Sequence, residues 1–151
     1  MVRENIPGID DVTLRHAAEG MRAFSANCML AAAVMIGVAT EHVFLLVVES
    51  AEKSKTHGAA FAPVSKERAI LQKVNKFKRI LEPHLAAFPA GLKEGLDTRF
   101  AGVLETIRKI RNESGHPTGE VVGRETVYML LQLFVPYCKK MHELIEHFRS
   151  C

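Results

Sequence analysis

"CMLAAAVMIGVATEHVFLLVV", residues 28–48, is the stretch whose reading decides the fold. Its apolar run nearly suffices to span a bilayer, which takes about 20 residues. Glu41 and His42 interrupt it, and a carboxylate at membrane depth costs roughly 2.5 to 3.5 kcal/mol on insertion scales. The flanking segments carry no positive bias. An all-round apolar helix is equally what the centre of a soluble bundle needs, so the stretch reads as a buried helix over about residues 28–53. Gly37, set among alanines, lets a neighbouring helix come close, at about 1 kcal/mol of helix propensity relative to Ala.

Working outward, "VTLRHAAEGMRAF" predicts a first helix over about residues 12–24, with Val12, Leu14, Ala18, Met21 and Phe24 near one face and Asp10 or Asp11 as its cap. "SKTHGAAFAPVS", residues 54–65, reads as a loop because it collects Gly58, Pro63 and small polar residues. Ser65 then caps a third helix, "KERAILQKVNKFKRILEPHLAAF", built on Ile70, Val74, Phe77 and Leu81, which Pro83 kinks or ends. "PAG" at 89–91 is a turn, and a fourth helix follows over about 92–111. The fifth runs from about 123 to 148 with Val127, Leu130, Leu131, Phe134, Cys138, Met141, Ile145 and Phe148 on its buried face, and Pro136 is expected to bend it. No repeat, low-complexity run or strand pattern interrupts this order. The expectation is an all-α, up-and-down bundle of about five helices forming a single domain over 1–151.

Composition agrees: 48% apolar and 25% charged residues, without Trp, describe a folded helical chain and exclude a disordered tail. A net charge of +3, from 20 Lys plus Arg against 17 Asp plus Glu, excludes a large positive field, so nucleic acid is held only through a local patch. "KVNKFKR", residues 73–79, is one such run, and it reads first as a solvated helix face. Cys28, Cys138 and Cys151 are odd in number and widely spaced, and with no secretory or organellar signal in "MVRENIPGIDD" they point to the cytoplasm. Cys28 and Cys138 read as buried small hydrophobes and Cys151 as a frayed end. His16, His42, His57, His84, His142 and His147 show no common metal spacing.

"KIRNESGHPTG", residues 109–119, breaks the helical texture. The fourth helix carries its stripe on Leu92, Leu96, Phe100, Val103, Leu104 and Ile107. At about 100° per residue, Arg111 falls some 40° from Ile107 and about 20° from Leu104 and Phe100, so a guanidinium is aimed inward at the last turn. It cannot shed its charge and needs a partner. Glu41, an expensive carboxylate in the apolar helix, is expected to orient Arg111 or the loop after it. Asn112, Ser114, Gly115 and Pro117 then terminate the helix and hold His116 a few residues beyond Arg111. Arg pins a phosphate with paired hydrogen bonds, and imidazole exchanges protons near neutrality. The same residues also suit a helix end whose carbonyls are satisfied by Arg and His, with no catalysis.

"RNESGH" resembles the R-x4-6-H signature of the HEPN superfamily (higher eukaryotes and prokaryotes nucleotide-binding). Its place near the end of the penultimate long helix, the "HPTG" leading into the last one, and the Ala-rich "SANCMLAAAVMIGVATE" ending in Glu41 extend the resemblance over most of the chain. The resemblance implies a symmetric homodimer with Arg and His of both subunits facing across the two-fold axis. It further implies a metal-independent endoribonuclease, often a toxin or antiviral effector, that needs no cofactor. By motif position Arg111 binds the scissile phosphate, His116 acts as general base or acid, and Asn112 positions one of them. Toxins of this family silenced by nucleotidyl transfer carry Tyr two residues after the His. Here that residue is Thr118, which departs from control by a nucleotidyltransferase antitoxin and leaves other antitoxin or defence partners open. The competing class is a noncatalytic HEPN-like module for dimerisation or partner binding.

Overall fold

A computed structural model describes residues 2–96, 98–117 and 119–151, except the side chains of residues 2, 3, 98 and 99. The described residues are all-α. In chain order the helices are α1 (Val2–Asn5), α2 (Asp11–Ser25), α3 (Met29–Lys53), α4 (Gly58–Ser65), α5 (Ile70–His84), α6 (Ala90–Lys93), α7 (Thr98–Gly115) and α8 (Arg124–Ser150), with a 3-10 turn at Leu85–Ala87. The five expected helices overlap the long ones, α2, α3, α5, α7 and α8, but the short helices α1, α4 and α6 and the parallel course of α3 and α8 depart from a simple five-helix up-and-down bundle.

α3 is the axis of the molecule and packs against α2, α4, α7 and α8. By length and apolarity it passes as a membrane span, yet 56% of its most apolar window is buried inside the fold. Ala32, Ala33, Ile36, Ala39, Val43 and Val47 have no exposed surface. Tyr137, in the middle of α8, donates its hydroxyl hydrogen to the Thr40 carbonyl at 3.2 Å. Farther along, residue 54 after α3 meets Cys151 after α8, so α3 and α8 run in the same direction. Gly20, late in α2, sits against Ile36, early in α3, so α2 runs antiparallel to α3, as a short connection requires.

Asp10 caps α2, its side chain accepting from the Thr13 backbone N–H at 2.9 Å. The buried face of α2 is shifted from the expected one: Thr13, Ala17 and Gly20 face the core, Leu14 and Phe24 pack against it half-buried, and Val12 and Met21 are exposed. A Cβ on Gly20 would lie 2.8 Å from Ile36 Cδ1. Close approach of the two helices therefore selects small side chains at the contact and leaves larger ones beside it.

Residues 58–65 form helix α4, not the expected loop. Phe61 and Val64 are fully buried, and this burial outweighs the hydrogen bond that Pro63 removes. Gly58 is required there because a Cβ would strike the Glu52 carbonyl oxygen at 2.4 Å. Ser65 ends α4 and does not cap α5, whose cap position is Ala69. α5 stops one residue after Pro83.

The fourth expected helix is divided. Leu92 belongs to the short α6, where a turn was expected at 89–91, and Gly95 breaks the chain at φ +82°. A Cβ on Gly95 would also meet the Phe100 ring at 2.3 Å. α7 begins only at Thr98 and continues past Arg111 to Gly115, so Asn112 and Ser114 lie in its last turn and Pro117 enforces the stop. Thr118 lies outside the described residues. α8 starts after Gly123, is continuous through Pro136, and buries the expected face except Leu131, which is half-buried.

Candidate functional site

Arg111 reaches its place because α7 crosses α3 at Gly37. Were Gly37 given a Cβ, that atom would stand 2.1 Å from Arg111 Cβ and 2.0 Å from Cγ. The stem of Arg111 thus lies on bare α3 backbone. One turn along α3, Glu41 Oε2 accepts from Arg111 Nη2 at 3.3 Å. Asn112 Oδ1 accepts from Nη1 at 2.9 Å. The side chains of the ion pair are 32% and 18% exposed, so it is half-buried and only partly screened. Two acceptors on different helices fix the plane of the guanidinium. Arg111 Nε and Glu41 Oε1 are buried and have no hydrogen-bond partner among the described residues, which leaves polar capacity at the α3–α7 seam. The charge of Glu41 extends to Tyr137: burial first, then Cys138 and Glu41, push that phenol well above its ordinary pKa.

Asn112 and His116, one turn apart, line an open groove between α5 and α7 together with Leu71, Asn75, Glu105 and Arg108. His116 is exposed, and its backbone N–H closes the helix end on the Glu113 carbonyl at 3.3 Å. Of the three residues singled out in the sequence, Arg111 and Asn112 are hydrogen-bonded to each other. Asn112 and His116 share the groove, whereas Arg111 is turned toward α3 and does not line it. The groove is mixed in charge. Glu105 pairs with Lys78 at 2.8 Å and Glu113 with Lys109 at 3.8 Å. Lys76 pairs with Glu67 at 2.6 Å and Lys73 donates to the Ser65 carbonyl, so the lysines of residues 73–79 are engaged within the fold while Val74 and Phe77 between them are buried.

Beside this seam α3 shows a half-exposed apolar stripe. Leu30 and Leu45 are 53% and 42% exposed, and Val34 and Val38 lie between them, half-buried. At about 100° per residue these four and Glu41 fall within about 80° of arc. The Glu41–Arg111 pair is therefore embedded in a surface that the chain leaves partly uncovered.

Two clusters are assembled from residues distant in the sequence. Asp10 binds His42 Nε2 through Oδ2 at 3.1 Å, and its Oδ1 stands 3.7 Å from His142 Nε2, joining α2, α3 and α8. Oδ1 and that Nε2 make no hydrogen bond at this separation. Burial pushes the Asp10 carboxyl up, but Thr13 hydrogen bonds and His42 outweigh it and hold the carboxyl below its usual value. At the far end of α3, His57, His147 and Cys151 converge. Burial, then the neighbouring His84 and His147, hold His57 below the ordinary imidazole value. Cys151 is anchored and not frayed: its carbonyl accepts from the Thr56 N–H at 3.1 Å. Cys28 is exposed, contrary to its reading as a buried hydrophobe, whereas Cys138 is buried. The i, i+4 spacing of His147 and Cys151 is the one local signal for this cluster, because His57 joins it from far earlier in the chain.

Compared with family models, with curated proteins and with solved structures, the chain matches none.

Proposed function

We propose that the chain is a HEPN-like domain that works as a symmetric dimer and cuts RNA without a metal at the reacting centre. The observation that carries the reading is the Arg111 guanidinium, held by Glu41 and Asn112 in the last turns of α7, the helix end that is followed by His116. RNA brings its own nucleophile in the ribose 2'-hydroxyl. His116 takes the 2'-hydroxyl proton, and the 2'-oxygen attacks phosphorus. The 5'-oxygen leaves and is protonated by solvent or by the partner's imidazole. The products are a 2',3'-cyclic phosphate and a 5'-hydroxyl. Arg111 does not line the His116 groove within one chain, so in this reading it neutralises charge on the phosphoryl oxygens from the cleft shared by two copies. Dimerisation through the stripe of Leu30, Val34, Val38 and Leu45 brings two copies of the seam together and gives the half-buried guanidinium a shared cleft. The cysteines, none in a disulfide, accord with a cytoplasmic setting.

One observation favours a second reading, a noncatalytic partner-binding module: Glu105 and Glu113 already engage Lys78 and Lys109 at the groove, which weakens its attraction for phosphate. Incubation of RNA with purified protein in EDTA separates the two. The nuclease yields fragments ending in cyclic phosphate, lost in His116→Ala and Arg111→Ala variants that still dimerise. The module yields none.

A further inference from the structure

His57, at the start of α4, meets His147 and Cys151 at the end of α8 so that one ligand atom from each lies within 4.8 Å of the others. His147 and Cys151 are four residues apart on one helical face, and Cys151 Sγ stands 3.8 Å from His147 Nε2. A tetrahedral zinc ion, with Zn–S about 2.3 Å and Zn–N about 2.0 to 2.1 Å, holds a thiolate and an imidazole nitrogen about 3.5 Å apart. Contraction by a few tenths of an ångström joins this pair on one ion.

The backbone around these groups is built to hold them. Thr56 N–H donates to the Cys151 carbonyl at 3.1 Å. The hydroxyls of Thr56 and Ser54 donate to the same oxygen at 3.3 and 3.4 Å. Ser54 Oγ in turn accepts from the His57 backbone N–H at 3.2 Å. The turn carrying His57 is thereby fastened to the residue carrying the thiol. Aromatic rings wall the cluster: Phe88 lies 4.5 Å from the His147 ring and Phe148 5.8 Å from the His57 ring. His84 stands edge-on to His57 at 5.3 Å, its Nδ1 engaged with the Ile80 carbonyl at 2.7 Å. Such an apolar shell limits solvent access and strengthens ligation.

The geometry points to a transition-metal site in which His57, His147 and Cys151 bind a borderline-soft divalent ion of the zinc class and staple the turn after α3 to the end of α8. One thiolate with two imidazoles suits zinc or cobalt and disfavours magnesium and calcium, which demand oxygen ligands. Three protein ligands leave a fourth position for water. The site is roughly 20 Å along α3 from Glu41 at 1.5 Å rise per residue, so it acts on architecture and does not depend on the ribonuclease reading.

Cobalt(II) is the probe, titrated into untagged, reduced full-length protein. One equivalent is expected to bind with a thiolate-to-cobalt charge-transfer band in the near ultraviolet and intense visible bands of four-coordinate geometry, displaced by zinc(II). Cys151→Ser, a change at the helix end, removes the charge-transfer band, and Cys28→Ser leaves it intact. His57→Gln and His147→Gln each weaken cobalt binding by at least about 10-fold, the loss that outer-sphere changes alone cause. No thiolate band at saturating cobalt, a band that survives Cys151→Ser, or one that disappears in Cys28→Ser would each overturn the assignment.

Discussion

Arg111 packs its side-chain stem directly on the backbone of Gly37, where any Cβ would come within 2.1 Å of Arg111 Cβ. This contact sets the distance between α3 and α7 and brings the guanidinium down beside Glu41. Gly37→Ala is expected to force the helices apart and to destabilise the protein by about 1 to 3 kcal/mol, although Ala is the better helix former. Gly102→Ala in α7, where a Cβ meets nothing within 4 Å, is the control. It should stabilise by about 0.5 to 1 kcal/mol. Urea unfolding of both variants checks the pair of opposite signs.

Glu41→Gln keeps the shape of the side chain and removes its charge. The pair is half-buried, so the expected loss is about 1 to 2 kcal/mol, below the cost of orphaning a fully buried charge. Arg111 then keeps Asn112 and a neutral amide oxygen as acceptors but loses its countercharge. Denaturant unfolding of Glu41→Gln, Arg111→Met and the double variant measures the coupling, and strictly additive losses would contradict a direct interaction.

Asp10 makes stability depend on acid. Its carboxyl is held below the ordinary value against the burial that raises it, by Thr13 hydrogen bonds and by His42. A depressed folded value contributes stability that is complete above the unfolded value of about 3.9 and is lost as pH falls through the lower folded value. Asp10→Asn retains a capping oxygen but not the titration. Its melting temperature should therefore fall less steeply than that of the native protein below about pH 4, and equal slopes would contradict the assignment.

Cys138 is buried, and its thiol is pushed up to about 12 by burial and then by Asp10. The thiolate is the reactive form, so the native protein should show rapid modification of exposed Cys28 and none of Cys138 until it unfolds. Thiol titration with and without denaturant, followed by peptide mapping, checks this.

Much of the architecture is legible because its signals are local. The apolar run of α3 is bounded by residues 28 and 53, and the periodic face of α8 runs from Val127 to Phe148. The Arg111–Glu41 pair was readable as well, since a charge in an apolar stripe must find its opposite. α2 misled because hydrophobicity favours Val12 and Met21, while interhelical distance favours Thr13, Ala17 and Gly20. α4 was hidden because Gly58 and Pro63 are loop residues by propensity, and only the burial of Phe61 and Val64 overrides them. The premature extension of the fourth helix back to Leu92 overlooked Gly95, whose positive φ interrupts the backbone. His147 and Cys151 are paired by their i, i+4 spacing, but the arrival of His57 beside them depends on where α3 and α8 both end, which no spacing rule encodes.

The most direct test of the central claim is the chemistry of the RNA ends. Protein incubated with single-stranded RNA in EDTA should generate 2',3'-cyclic phosphate and 5'-hydroxyl termini, and a folded, dimeric His116→Ala variant should lower the rate at least about 100-fold, as expected for loss of a general base. Fragments that appear equally with His116→Ala, or no cleavage by the native dimer, would contradict it.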